Sequence, residues 1–151
     1  MPELEQLLEK YPTDVRVVFK NFPIRSHKFA IKAAMAALAA GRQDKFWEFH
    51  DELFKNYNRL NDQKIQEIAT QLGLDQTKFE EHQKSPVESA RIRQDYEEGI
   101  KLGVRGTPTL FINGKKVKNR SMQNMEAIIN EEIKAGKAKN RKTNSDLGMR
   151  K

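Results

Sequence analysis

The sequence contains no cysteine. That excludes disulfide bonds, thiolate metal ligands and a cysteine nucleophile from these residues. No apolar run approaches the roughly 20 residues that a membrane-spanning helix needs. The first residues, PELEQLLEKYP, lack the basic stretch followed by an apolar core that marks a signal peptide, so none is read there. Phosphate-binding loops are missing as well: Gly99, Gly103 and Gly106 fit neither GxxxxGK[ST] nor GxGxxG. His27, His50 and His82 show no metal-ligand spacing and no HExxH pattern, so no metal site, cofactor or catalytic group is read from these residues. His50 is read as a packed or interfacial residue among aromatic neighbours, His27 as a surface or capping residue.

What is present fits one domain with a real core under a heavily solvated surface: 151 residues, 32% of them charged and 37% hydrophobic. The net charge of +7 is concentrated at one end. The stretch Lys134–Lys151 holds seven basic residues and one acidic one and leaves the rest of the chain nearly neutral. That stretch is poor in apolar residues and reads as disordered from 136 onward. It has neither interleaved aromatics nor an apolar helix face, so it reads as a solvated terminus, without a nucleic-acid partner.

Helical spacing and turn chemistry organise the rest. Leu4, Leu7, Leu8 and Tyr11 recur as on one face of a helix over 3–11, which Pro12 breaks. DVRVVFKNF follows; Val15–Asn21 is the best strand candidate, and Val18 makes it apolar on both faces, as in a sheet covered on both sides. An alanine-rich helix is expected over 28–40 with Gly41 as its cap. Phe46, Phe49, Leu53 and Tyr57 form the next stripe, with Trp47 and Phe54 beside it, and this aromatic set reads as core and not as an exposed platform. Ile65, Ile68, Ala69 and Leu72 form another stripe, ended by Gly73; Asp75 caps a short helix carrying Phe79. Ser85-Pro86-Val87-Glu88 is a strong helix start, with a capping hydroxyl, proline at the first helical position and glutamate at the third, and that helix should reach about Leu102. Thr109–Ile112 and Lys115–Val117 read as strands joined by Asn113-Gly114, the signal of a type I′ hairpin whose two central residues need positive φ. Ser121 caps a last helix with Met125, Ile128, Ile129 and Ile133 on its apolar face. The order of helix, strand, helical block, hairpin and helix is that of an α/β fold.

LGVRGTPTLFINGKKV, Leu102–Val117, places Thr107-Pro108 directly before a strand that runs into a hairpin. This ending is similar to the C-terminal half of a thioredoxin fold. VRVVFKNFPIRSHKFAIKAAMAALAAG, FWEFHDELF and GLDQTKFEEHQKSP extend the likeness. Together they make the chain, over about residues 3–134, resemble the DsbA-like thioredoxin-fold thiol–disulfide oxidoreductases. The resemblance implies an α/β thioredoxin-like fold with an inserted helical domain: 1–27 as its first part, 28–102 as the insertion, 103–135 as its C-terminal part and 136–151 as the basic tail. It implies a cis peptide before Pro108, and a loop of Arg105, Gly106, Thr107 and Pro108 that binds extended or unfolded protein substrates. It places such proteins in the periplasm or outside the cell.

In that family a central strand and a CxxC at the start of the first helix come before the residue matching Met1. The expectation is therefore a domain without that strand and redox-inactive as it stands, or else a redox-dead module that holds peptides or a partner. A sheet lacking its central strand exposes apolar faces on both neighbours. Each buried Val or Ile lost is worth roughly 1.5–3 kcal/mol, so the flanking strands should pair directly, or a second chain should complete the sheet in a homo-oligomer or strand-swapped dimer.

Overall fold

The computed structural model describes the backbone of residues 2–24 and 26–148, and the side chains of 3–24 and 26–137. The chain divides into two compact units, one formed by residues 1–19 and 108–151, the other by 20–107.

The second unit is helical. It contains α2 (Ala30–Gly41), α3 (Phe46–Lys55), a 3-10 turn at Tyr57–Arg59, α4 (Asp62–Gln71), α5 (Gln76–Gln83) and α6 (Pro86–Lys101). Local chemistry fixes most of the starts. Asn61 Oδ1 accepts from the Lys64 N–H, Asp75 Oδ1 from that of Lys78, and Ser85 Oγ from that of Glu88, so each cap satisfies an amide that the helix leaves open. Gly73 and Gly103 take positive φ just beyond α4 and α6, where a side chain would be strained.

The core of this unit surrounds α2, which packs against α3, α5 and α6. Ala36, Ala37, Ala39 and Ala40 are buried on it, and their small side chains let neighbouring helices approach. Phe49 and Phe79 are fully buried in the same cluster, ring centroids 5.5 Å apart, with Leu53, Ile65, Ile68 and Leu74. Burying each ring contributes roughly 2–3 kcal/mol. Gly41 does not act as the expected cap. It is the last residue of α2, Arg42 follows in right-handed helical conformation, and the positive φ of the turn falls on Asp44. The glycine at 41 answers a packing demand instead, because a Cβ there would sit 3.3 Å from that of Phe46.

The first unit holds α1 (Pro2–Lys10), β1 (Phe111–Ile112), β2 (Lys115–Lys116) and α7 (Met122–Gly148). Its core joins Leu7, Val117, Met125 and Ile129 with the flanking Leu4, Tyr11, Val15, Leu110 and Ile133. β1 and β2 are antiparallel, Phe111 opposite Lys116 and Ile112 opposite Lys115. Asn113 and Gly114 both have positive φ, as a type I′ turn requires. The Val117 N–H donates to the Leu110 carbonyl at 2.9 Å and continues the pairing beyond the assigned strands. Ser121 Oγ accepts from the Asn124 N–H and starts α7.

Two expectations about this unit are corrected. Val15–Asn21 is not a strand: among the described residues the sheet consists of β1 and β2 alone, so the two flanking segments do not pair directly. Burial over 15–20 still alternates with the period of extended backbone, Val15, Val17 and Phe19 half-buried, Arg16, Val18 and Lys20 exposed. Strand assignment needs a ladder, and none is formed there. The stretch from 136, read as disordered, continues α7 as helical backbone to Gly148; its Ala and Lys residues have good helix propensity.

Candidate functional site: the Arg105–Pro108 loop

The loop is delivered by the end of α6. The Val104 N–H donates to the Gly99 carbonyl at 2.9 Å and the Gly103 N–H to that of Ile100 at 3.0 Å, closing the helix in a tight turn that buries Val104. Arg105, Gly106, Thr107 and Pro108 follow, all exposed except the half-buried Gly106. The chain passes from the helical unit to the hairpin unit between Thr107 and Pro108. Two residues after Pro108 comes Leu110, the start of the hairpin pairing. The four residues therefore form one accessible stretch. They hold no thiol, no carboxylate and no imidazole, and the chain has no cysteine to place beside them. Their chemistry is that of a backbone surface with one guanidinium and one hydroxyl.

Sequence spacing missed a polar and aromatic cluster on α6, the helix that leads into this loop. Asp95, 6% exposed, lies on the buried face of α6. Its Oδ2 accepts from the Asn21 N–H at 3.0 Å and from Asn21 Nδ2 at 3.1 Å; Asn21 is itself buried. Lys20 Nζ lies 3.3 Å from Asp95 Oδ1 and 2.9 Å from Glu98 Oε2, and these hydrogen bonds, Glu98 first, raise the Lys20 pKa above its ordinary 10.5. Phe22 stacks on Tyr96 at 4.7 Å and lies against Gly99 so closely that a Cβ there would be 2.8 Å from its ring. One turn into α6, the buried Glu88 accepts from Arg42 Nε at 2.6 Å, while its Oε2 has no partner among the described residues. The buried stripe of α6 is Glu88, Ile92 and Asp95.

The aromatic set on α3 divides. Phe49 is buried and Phe46 partly so, but Trp47, Phe54 and Tyr57 are 48%, 64% and 74% exposed, which corrects the reading of the whole set as core. One helix face can bury only about a third of its circumference, and Phe49 and Leu53 occupy it. His50 is half-buried in contact with Phe46, Trp47 and Phe54, with Nδ1 3.2 Å from Asp51 Oδ1. His27 is an exposed turn residue whose N–H donates to the Ile24 carbonyl. A groove of about 410 Å³ lined by Ile31, Met35, Ile65 and Glu80 contains none of the loop residues. No cluster of three metal-ligating side chains occurs among the described residues.

An exposed X-Pro step running into an antiparallel hairpin and a helix, preceded by an inserted block of helices, fits a thioredoxin-like fold of the DsbA type. The sequence profile described as thioredoxin matches residues 1–131, and the chain belongs to that family. A thioredoxin-like oxidoreductase from Silicibacter pomeroyi superposes with a TM-score of 0.74 at 28% identity, over 89% of this chain and 77% of that one. The thiol-disulfide exchange protein alpha-DsbA2 from Wolbachia pipientis gives 0.75 at 24% identity, over 86% and 71%, a likeness of fold. Among curated sequences the chain is 37% identical over 128 residues to the Na(+)/H(+) antiporter NhaA 3 of Salinispora tropica and 35% identical to NhaA 1 of Salinispora arenicola. It spans 84% of its own length but only 19% of theirs. No described helix is long and apolar enough to cross a membrane.

Proposed function

We propose that this chain is the substrate-holding part of a DsbA-like thiol–disulfide oxidoreductase and that it is redox-inactive on its own residues. The exchange reaction needs a thiolate that attacks a disulfide sulfur through a mixed disulfide, and none of the 151 residues carries a thiol. What the chain does offer is the exposed Thr107-Pro108 step leading into the hairpin, and this is the observation that carries the reading. An extended segment of an unfolded protein pairs with backbone there, Arg105 and Gly106 shaping the entrance. The working compartment in this reading is the periplasm or the extracellular space.

The test is a titration with a fluorescein-labelled, unstructured decapeptide of Val, Thr and Tyr residues, followed by anisotropy. Saturable binding that Pro108→Ala weakens about tenfold, or roughly 1.4 kcal/mol, supports the reading; binding absent from the intact chain refutes it. A thiol–disulfide exchange assay on the same sample should show no turnover. Translating the genomic sequence ahead of the Met1 codon separates a catalytic protein from a redox-dead binding module. A strand followed by CxxC in frame gives the first, a stop codon close by the second.

The alternation over residues 15–20 without a ladder supports completion of the sheet by a second copy. Light scattering across a concentration series should then show dimer; a monomer at every concentration sinks that partner.

A further inference from the structure

The carboxylate of Asp95 is buried on a helix whose end carries the candidate loop, ten residues before Arg105. Oδ1 faces Lys20 Nζ at 3.3 Å, and Oδ2 starts a chain of contacts that leads to the loop. Asp95 holds Asn21 by both the backbone and the side-chain amide. Asn21 fixes the next residue, Phe22, whose ring is stacked on Tyr96 and pressed against the backbone of Gly99. The Gly99 carbonyl takes the Val104 N–H, and Arg105 is the next residue in the chain.

We propose that Asp95 is a positioning residue for the loop beginning at Arg105: by clamping Asn21 it fixes Phe22 against Gly99, and so the turn that aims the loop. The proposal deepens the peptide-holding reading above and rests on it for its functional consequence, but the structural step stands alone. Hydrogen bonds to a buried carboxylate are stronger than neutral ones, and an orphaned buried amide pays its full desolvation. Removing the carboxylate therefore frees Asn21 and lets Phe22 leave Gly99. An asparagine at 95 keeps one oxygen aimed at the Asn21 N–H and retains most of the clamp.

The experiment compares the intact chain with Asp95→Ala and Asp95→Asn by amide hydrogen exchange and by anisotropy with the same fluorescein-labelled decapeptide. Asp95→Ala should speed exchange at the Val104 amide about tenfold or more and weaken peptide binding by a similar factor. The amides of Ile65 and Ile68 on α4 should change little, and Asp95→Asn should stay within about threefold of the parent on both readouts. Unchanged exchange at Val104 in Asp95→Ala overturns the proposal, and so does uniform acceleration at Val104, Ile65 and Ile68, the mark of general destabilisation. If Asp95→Ala does not fold, Asp95→Leu takes its place, filling the buried site without an acceptor oxygen: about tenfold faster Val104 exchange with α4 unaltered supports the clamp, and Val104 exchange matching the parent overturns it. If the intact chain binds no peptide, the substrate-holding reading fails, and the exchange data still decide the clamp.

Discussion

Gly99→Ala sets two effects of opposite sign against each other. Alanine inside an exposed helix is worth about 1 kcal/mol over glycine, and α6 runs through position 99 with regular geometry. Against this, the new methyl would lie 2.8 Å from Phe22 Cδ2 and 3.0 Å from Cε2, far inside contact distance. The ring cannot simply retreat: it is stacked on Tyr96 at 4.7 Å, and the preceding residue is bound twice by Asp95. Overpacking of this kind costs about 1–3 kcal/mol. The steric term should win, leaving a net destabilisation of about 1 kcal/mol and a fall in melting temperature of roughly 2–4 °C. Gly136→Ala is the matched control, since it too lies in a helix but meets nothing within 4 Å; there propensity should act alone and raise stability. Thermal unfolding by far-UV circular dichroism reads both variants, and the single tryptophan, Trp47, reports the helical unit separately. Phe22→Ala in the Gly99→Ala background should restore the propensity gain at position 99 relative to Phe22→Ala alone. A Gly99→Ala protein stabilised as much as Gly136→Ala would refute the close approach of Phe22, and with it the route from Asp95 to the loop.

Arg42→Ala leaves the buried Glu88 carboxylate without the guanidinium that bonds it and should cost about 2–3 kcal/mol in urea unfolding, the half-exposed arginine keeping the loss below that of a fully buried pair; Glu88→Gln, which removes the charge with little change of shape, should cost less. Lys20 contributes stability through its raised pKa, which is fully present below its ordinary 10.5 and lost as pH rises through the raised value. Lys20→Met should therefore lower the urea midpoint at about pH 9 and bring it closer to the parent's at about pH 11.5. It should not abolish the alkaline loss, because Lys10, Lys55 and Lys115 are raised likewise by Glu126, Glu52 and Glu132. An unchanged difference across that range would exclude the pair as a stabilising contact.

The helices were legible because their signals are local. Asp75, Ser85 and Ser121 each bond an amide three residues ahead, a relation that spacing alone exposes, and Asn113-Gly114 announced its turn by the positive φ that few residue pairs tolerate. Apart from the Gly41 cap and the stretch from 136, the failures involve partners remote in sequence. Val15–Asn21 has the composition of a strand, but a ladder belongs to two segments. Trp47 and Phe54 share a helix with Phe49, and which face meets the core depended on α2 and α5. The buried face of α6 is least readable of all, since a stripe containing Glu88 and Asp95 looks solvated until Arg42 and Asn21 arrive from 46 and 74 residues away. The loop at Arg105–Pro108 was proposed from its motif, while the Asp95–Asn21 contact on the helix before it gave no such signal.

The Asn21–Asp95 clamp also bears on the order of folding. The hairpin unit is made of two stretches of chain, 1–19 and 108–151, with the whole helical unit lying between them in sequence. Joining them directly in an unfolded chain would incur the entropy of closing a very long loop. The helical unit is a succession of neighbouring helices, whose local contacts form fast. Once it folds, the clamp has already tied residue 21 to residue 95, a closure of 74 residues worth roughly 4 kcal/mol of chain entropy. What would remain for the hairpin unit is a search between two tethered ends, and the expected order of folding is therefore the helical insertion first and the domain it interrupts second.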